Sequence, residues 1–373
     1  MTAWNRNRLT EKLEIEYPIV QGPLGGLASQ RLTAAVSNFG GLGSFGGLGL
    51  APEELKDVIA EIRSFTSKPF AVNLWVSVED EAARSSGEDA FARSLAPLQP
   101  LLKELGVPSP TYKAHVPVRF EDQVRVLLDE KVPVFSFIFG IPPREILDEC
   151  RAKKIIVIGA ATTADEARAL ADTGVDAVVA SGAEAGGHRG SFLRPAQQSV
   201  TGTFSLVPQV ADAIDLPVIA AGGIADGRGV VAALSLGAEG VQMGTAFLSC
   251  EESGSSRLHR ETLLKGAVQT GMTAAFTGRL ARGIRNRLMD ELERPGVEVL
   301  PYPLQRLLVR NITAAAEAAG RPELMQMWAG QSAGISTPAD PTTFLKSLVE
   351  EVAEIVPEVT DRAGNRRGSR PPV

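Results

Sequence analysis

Apolar residues occur along this chain in short, nearly unbroken runs, separated by stretches in which they return every three or four positions. The runs are short and rich in Val, Ile and Phe, which fits strands covered on both faces, and the intervening periodicity fits amphipathic helices. The pattern predicts strands over 17–24 (YPIVQGPL), 39–47, 69–76 (PFAVNLWV), 132–140 (VPVFSFIFG), 154–162 (KIIVIGAAT), 177–182 (AVVASG), 216–224 (LPVIAAGGI) and 240–248 (GVQMGTAFL). Helices are predicted over 29–38 with Ser29 as N-cap, 52–64 opened by Pro52, 119–130, 143–151, 163–174 ending at Gly174, 205–214, and 226–236 stopped by Gly237.

Eight buried strands alternating with helices are what a closed (β/α)8 TIM barrel requires, with an open doubly wound sheet as the rival architecture. A barrel makes a specific demand: polar and glycine residues at the C-terminal ends of different strands must converge on one face. Gly22, Gly46, Asn73, Ser181, Gly222 and Gly244 stand at those positions. Two stretches break the rhythm. Residues 77–117, inserted after the third strand, are charged and then proline-rich, and exceed an ordinary connection; a lid or subdomain and a surface ornament are both open. Residues 249–330 carry apolar positions at helical spacing in ESGSSRLHRETLLKGA, LARGIRNRLMDELER and YPLQRLLVRNITAAAEAAG, and are expected to form a helical cap on the active face. The barrel domain is then 1–248 with 331–373, with a last helix over 342–356 and a frayed tail.

Composition narrows the class. The 373 residues are 44% hydrophobic with 37 glycines and 24 prolines, as in a compact enzyme with many tight turns. A net charge of -6, with no basic run interleaved with aromatics, argues against nucleic-acid binding. Cys150 and Cys250 make neither a disulfide framework nor a metal-binding spacing, which points to a reducing compartment. The polar N-terminus and the lack of any run of about 18 apolar residues lead us to expect a soluble cytoplasmic protein without a membrane partner. Oligomeric state stays open, a homodimer included.

The chemistry concentrates where strands end. In AVVASGAEAGGHRG (177–190) an apolar run gives way to small residues, to Gly186 and Gly187, and to His188, one of three histidines. Backbone amides at such glycines can approach a flat or anionic ligand, and a histidine in a loop past a strand serves function more often than packing. A purely structural histidine is the competing reading. The turns AAGGIADG (220–227) and QMGTAF (242–247) close strands seven and eight, where barrels often hold a phosphate, so they point to a phosphate-bearing cofactor. GGLGSFGGLG (40–49) lies across a strand and reads as close backbone approach rather than a nucleotide loop. Neither a Rossmann nor a Walker motif is present, and no metal-ligand spacing is seen. His115 and His259 are expected on the surface, and Arg189 as a structural ion-pair residue.

QGPLGG, NLWV, EAGGHRGSF, AAGGIADGRG, VQMGTAFL, TGRLARGIRN and WAGQS together resemble the nitronate monooxygenase (2-nitropropane dioxygenase) family of FMN-dependent barrels, in order from about residue 17 to 335. The GGH loop and AGGI turn also resemble FMN-dependent enoyl-acyl-carrier-protein reductases. The resemblance implies an FMN site in which Gly22, Pro23 and Leu24 lie against the ring, Asn73 bonds the flavin, and Ser181, Gly182 and Gly186 are further contacts. Gly222, Gly223, Gln242, Met243, Gly244 and Thr245 would bind the phosphate end, and His188 would be catalytic. Family members commonly carry glutamine at the position of Ser181 and a lysine near the ring on strand five, where this chain has Ile155, Ile156 and Val157 beside Lys153 and Lys154. The implied reaction is oxidation of alkyl nitronates, or of nitroalkanes, by O2 to carbonyl compounds and nitrite, with His188 as base or anion binder. An NAD(P)H-dependent enoyl reductase and a flavin-binding module without turnover are the alternatives.

Overall fold

The computed structural model describes residues 4–113, 116–266, 268–335 and 340–366, with side chains to residue 356. Its strands are β1 (Ile19–Gln21), β2 (Gly43–Gly46), β3 (Phe70–Trp75), β4 (Val134–Ile138), β5 (Ile156–Ala161) and β6 (Ala177–Ser181). They continue with β7 (Gly187–His188), β8 (Val218–Ala221), β9 (Gly240–Met243), β10 (Thr270–Thr273) and β11 (Ala281–Ile284). Eight of them form one parallel sheet in the order β1-β9-β8-β6-β5-β4-β3-β2, and a parallel bridge between Val20 and Leu42 joins its two edges. This is a (β/α)8 barrel.

Alternation along each strand divides the apolar residues between two cores. Val20, Leu42, Ala71, Val134, Ile158, Val179 and Ile219 point into the barrel, while neighbours such as Val72, Phe135, Val157 and Val178 face the surrounding helices. Helix Arg8–Leu13 plugs the N-terminal end of the barrel with Leu9 and Leu13, which leaves the C-terminal end for a ligand. The glycine-rich second strand is shorter than the 39–47 predicted, because Phe39 ends helix Gln30–Phe39. It allows the close approach expected of it: a Cβ on Gly43 would lie 1.9 Å from the Thr33 carbonyl oxygen, and one on Gly46 2.7 Å from the Gly25 Cα.

The eighth barrel strand stops at Met243, not at Leu248 as predicted, and the apolar residues after Gly244 form the short helix Thr245–Leu248. The last helix, Pro341–Arg366, packs between helices Gly227–Ser235 and Gln30–Phe39 and so fills the eighth helix position. Residues 367–373 of the tail expected to fray lie outside the described residues. The chain from 249 to 335 is therefore inserted between strand eight and its own helix.

That insertion is not wholly helical. Besides helices Arg257–Leu263, Arg287–Leu292 and Leu304–Ala318 it holds β10 and β11, which form an antiparallel sheet with β7 in the order β10-β11-β7. The segment LARGIRN, read as helix, is mostly strand. Residues 77–113 hold helices Glu81–Ser85, Glu88–Leu95 and Gln99–Glu104, with a 3-10 turn over Ala96–Leu98, and their Phe91, Leu98, Leu101 and Leu102 share a separate core with Leu288, Leu308 and Ile312. The stretch after strand three thus packs as part of the cap. Among the described residues no helix is long and apolar enough to cross a membrane.

Candidate active site

A cavity of about 490 Å³ lies between the C-terminal ends of the barrel strands and the cap. Gly22, Pro23 and Leu24 after β1, Asn73 on β3 and Ser181 at the end of β6 line it. So do Gly186 and His188, Gly222 and Gly223 after β8, and Gln242, Gly244 and Thr245 at the end of β9. Gly182 and Met243 do not. Gly182 sits behind the wall, where a Cβ would fall 1.9 Å from the Thr203 hydroxyl oxygen. Met243 turns its side chain into the core between barrel and helices, and its carbonyl accepts from the Gly22 amide at 2.7 Å. Lys153 and Lys154 are not in the wall; Lys154 lines a depression with Lys12 and Asp176, near the start of β5.

The turn after β8 needs glycine. Gly222 and Gly223 have φ of 108° and 75°, a left-handed pair that only glycine adopts readily. The amides of Gly223 and Ile224 have no acceptor among the described residues. The WAGQS segment closes over this turn: the Gly330 amide donates to Thr245 Oγ1 at 2.8 Å, Ser332 Oγ to the Gly223 carbonyl at 2.7 Å, and the Gln331 amide to the Glu184 carbonyl at 2.9 Å. Glu184 itself faces helix Thr203–Ala213, taking hydrogen bonds from the amide and hydroxyl of Thr203.

His188 lies on the cavity wall in β7, paired with Ala281 of the cap strand β11. Its Nε2 is 2.9 Å from Thr277 Oγ1. Trp75, Trp328, Tyr302 and Phe139 surround the ring with centroid distances of 4.8, 5.1, 6.2 and 6.3 Å. Burial in this aromatic box, helped by the charges of Arg279 and Arg306, pushes the imidazole down to about 3, so it is neutral near pH 7. Arg279 is held by Asp80 at 2.8 Å and by Ser77. Arg306 and Arg310, one turn apart on helix Leu304–Ala318, line the outer cavity with exposed guanidinium groups.

Two expectations about single residues need correction. His259 is not on the surface: it is 3% exposed, its Nε2 donates to the Trp328 carbonyl at 2.9 Å, and burial pushes it down to about 4. Arg189 makes no ion pair among the described residues; its buried guanidinium donates to the carbonyls of Ser181, Gly182 and Ser199 at the end of β6 and beyond. His115 lies outside the described residues. Thr277, Arg279, Trp75, Trp328, Arg306 and Arg310 were not singled out from sequence.

The nitronate monooxygenase family model matches residues 6–353. The chain belongs to the nitronate monooxygenase family. A probable nitronate monooxygenase of Staphylococcus aureus (strain Newman) is 42% identical over 355 residues, covering 95% of this chain and 99% of that one. The crystal structure of nitroalkane oxidase from Streptomyces ansochromogenes superposes with a TM-score of 0.85 at 34% identity, covering 93% and 98% of the two chains. FabK from Thermotoga maritima superposes at 0.74 with 31% identity, covering 96% and 99%. As a member of this family the chain is a flavin-dependent oxidoreductase with a small-molecule substrate.

Proposed function

We propose that this enzyme binds FMN in the described cavity and oxidises alkyl nitronates with O2 to carbonyl compounds and nitrite, using neutral nitroalkanes less readily. The glycine-walled cavity supports the cofactor part of this reading: the free amides of Gly223 and Ile224 suit a phosphate, and Gly22, Gly46 and Gly186, packed closely against neighbouring backbone, give the cavity a wall on which a flat ring can lie. Asn73, whose side-chain Nδ2 donates a hydrogen bond to Ser136 Oγ at 3.0 Å, lines that space and leaves its Oδ1 for a ligand. Bound flavin supplies the electron acceptor.

The observation that carries the substrate part is a cavity wall that sets the His188 imidazole, boxed by aromatic rings, together with the guanidinium groups of Arg306 and Arg310. Burial holds His188 well below its ordinary range and makes it a weak proton acceptor, while the two arginines favour a ligand that arrives already negative. A preformed nitronate needs no proton removed; a neutral nitroalkane does. The likeness to FabK favours a second reading, an NAD(P)H-dependent enoyl reductase. Anaerobic titration of the purified flavoprotein separates the two. Bleaching by ethyl nitronate with little effect of NADPH supports nitronate oxidation, and rapid bleaching by NADPH alone overturns it.

A further inference from the structure

We propose that Thr277 is a positioning residue that selects the tautomer of His188, keeping a proton on Nε2 and leaving Nδ1 as the atom that takes the α-proton of a neutral nitroalkane. This rests on the reading of the site as one that oxidises nitro compounds.

The argument is a count of donors and acceptors around one hydroxyl. Thr277 is 1% exposed, and its Oγ1 has three neighbours: His188 Nε2 at 2.9 Å, the Arg279 carbonyl oxygen at 3.3 Å and the Arg279 amide at 3.4 Å. A hydroxyl offers one hydrogen and two lone pairs. The carbonyl can only accept and the amide can only donate, so the hydroxyl hydrogen goes to the carbonyl and the imidazole donates from Nε2. The reverse arrangement spends that hydrogen on Nε2 and leaves the Arg279 carbonyl without any partner among the described residues, an unfavourable state for a buried group.

The hydroxyl is held rigidly enough to make this choice. Thr277 sits in the turn between β10 and β11, where Gly278 has φ of 95° and packs so closely that a Cβ would lie 2.4 Å from the Leu300 carbonyl oxygen. Arg279, which supplies the other two groups, is pinned by Asp80 and Ser77. The opposite nitrogen, Nδ1, has no hydrogen-bond partner among the described residues, and His188 is only partly buried on the cavity wall, so Nδ1 opens on the cavity. When it takes the proton, the α-carbon–hydrogen bond breaks, the electron pair stays on the carbon–nitro unit as the nitronate, and the imidazolium still donates from Nε2 to Thr277.

The test uses the flavin-loaded enzyme labelled with 15N-histidine. Long-range 1H–15N spectra, with the His188 signals identified by their loss in His188→Asn, are expected to show the Nε2-protonated form in the wild type. Thr277→Val is expected to lose that preference and Thr277→Ser to keep it. In parallel, Thr277→Val lowers kcat/KM for nitroethane by about 10- to 100-fold, a larger drop than for ethyl nitronate, and Thr277→Ser restores nitroethane. An Nδ1-protonated His188 in the wild type overturns the proposal, whatever the fate of the valine variant. So does a folded Thr277→Val enzyme with an unchanged tautomer and an unchanged ratio of the two substrates. If neither substrate gives nitrite while the Nε2 form is seen in the wild type and lost in Thr277→Val, the reading of the reaction fails, the proton transfer at Nδ1 falls with it, and the selection of the tautomer by Thr277 stands.

Discussion

The guanidinium of Arg279 lies 4.4 Å from the centre of the Phe139 ring. Tyr302 and Trp75 cover it at 4.7 and 5.6 Å, and Asp80 binds its edge. One side chain of the cap thus meets the end of β3, the chain after β4 and the stretch after strand three, next to the imidazole of His188. A buried charge so placed depends on its single carboxylate.

Replacing that carboxylate, Asp80→Asn, leaves Arg279 uncompensated and weakens the acceptor of the Tyr302 amide. Breaking a fully buried pair costs about 3–5 kcal/mol; with Asp80 about one-third exposed, a loss on the order of 2 kcal/mol is expected in urea unfolding. An unchanged midpoint would show that the pair is solvated.

His188→Asn is expected to keep the protein yellow and to keep ethyl nitronate turnover. Nitroethane turnover falls by about 10²- to 10⁴-fold, the usual contribution of a proton acceptor. Full activity on nitroethane would remove His188 from the proton transfer.

His188 and His259 are neutral in the fold, at about 3 and about 4, against an ordinary value of 6.5. Below pH 6.5 the unfolded chain binds more protons than the folded one, so stability is full above that pH and falls as the pH drops toward the folded values. Each histidine contributes a slope of up to about 1.4 kcal/mol per pH unit. His259→Gln, which can still donate to the Trp328 carbonyl, should flatten the decline by one such increment. Urea unfolding at a series of pH values measures it, and parallel curves for the two proteins would contradict it.

Gly186→Ala places a Cβ 2.5 Å from the Gly330 amide nitrogen and 2.6 Å from the Ala329 carbonyl carbon, neither of which can swing away. The WAGQS segment must shift, with a stability loss of about 1–3 kcal/mol and faster release of flavin on dilution. Gly87→Ala, where nothing lies within 4 Å, serves as the control and should retain flavin like the wild type.

Arg306→Gln removes an exposed charge from the outer cavity. KM for an anionic nitronate should rise about three- to tenfold at low ionic strength, and the gap should close in about 0.5 M salt because the group is solvated. A difference that persists at high salt would point instead to a direct hydrogen bond.

The barrel was legible because its strands are apolar on both faces and end at glycine or a polar residue, which a single chain displays without help from its neighbours. The glycines and the histidine of the cavity were legible for the same reason: each follows a strand. Side chains brought in by the cap were not. In LARGIRNRL the spacing of Leu280, Ile284 and Leu288 suits a helix, and it is pairing with Thr270–Thr273 on one side and with Gly187 and His188, nearly a hundred positions earlier, on the other that makes 281–284 a strand. Thr277 and Arg279 were hidden with it. Gly244 sits at the break that ended strand eight early, but the apolar TAFL after it read as more strand. His259 looks polar in sequence, and its partner, the Trp328 carbonyl, lies 69 positions away. Arg306 and Arg310 are four apart on the polar side of a helix, a spacing that marks a shared face but not what the face overlooks.

β7 belongs to two bodies at once, continuous with the barrel and laddered to the cap. Such a roof does not swing like a door, since swinging would drag its own reactive ring off station. The imidazole therefore takes its place from both bodies, and any change in how the cap rests on the barrel is felt first at that ring.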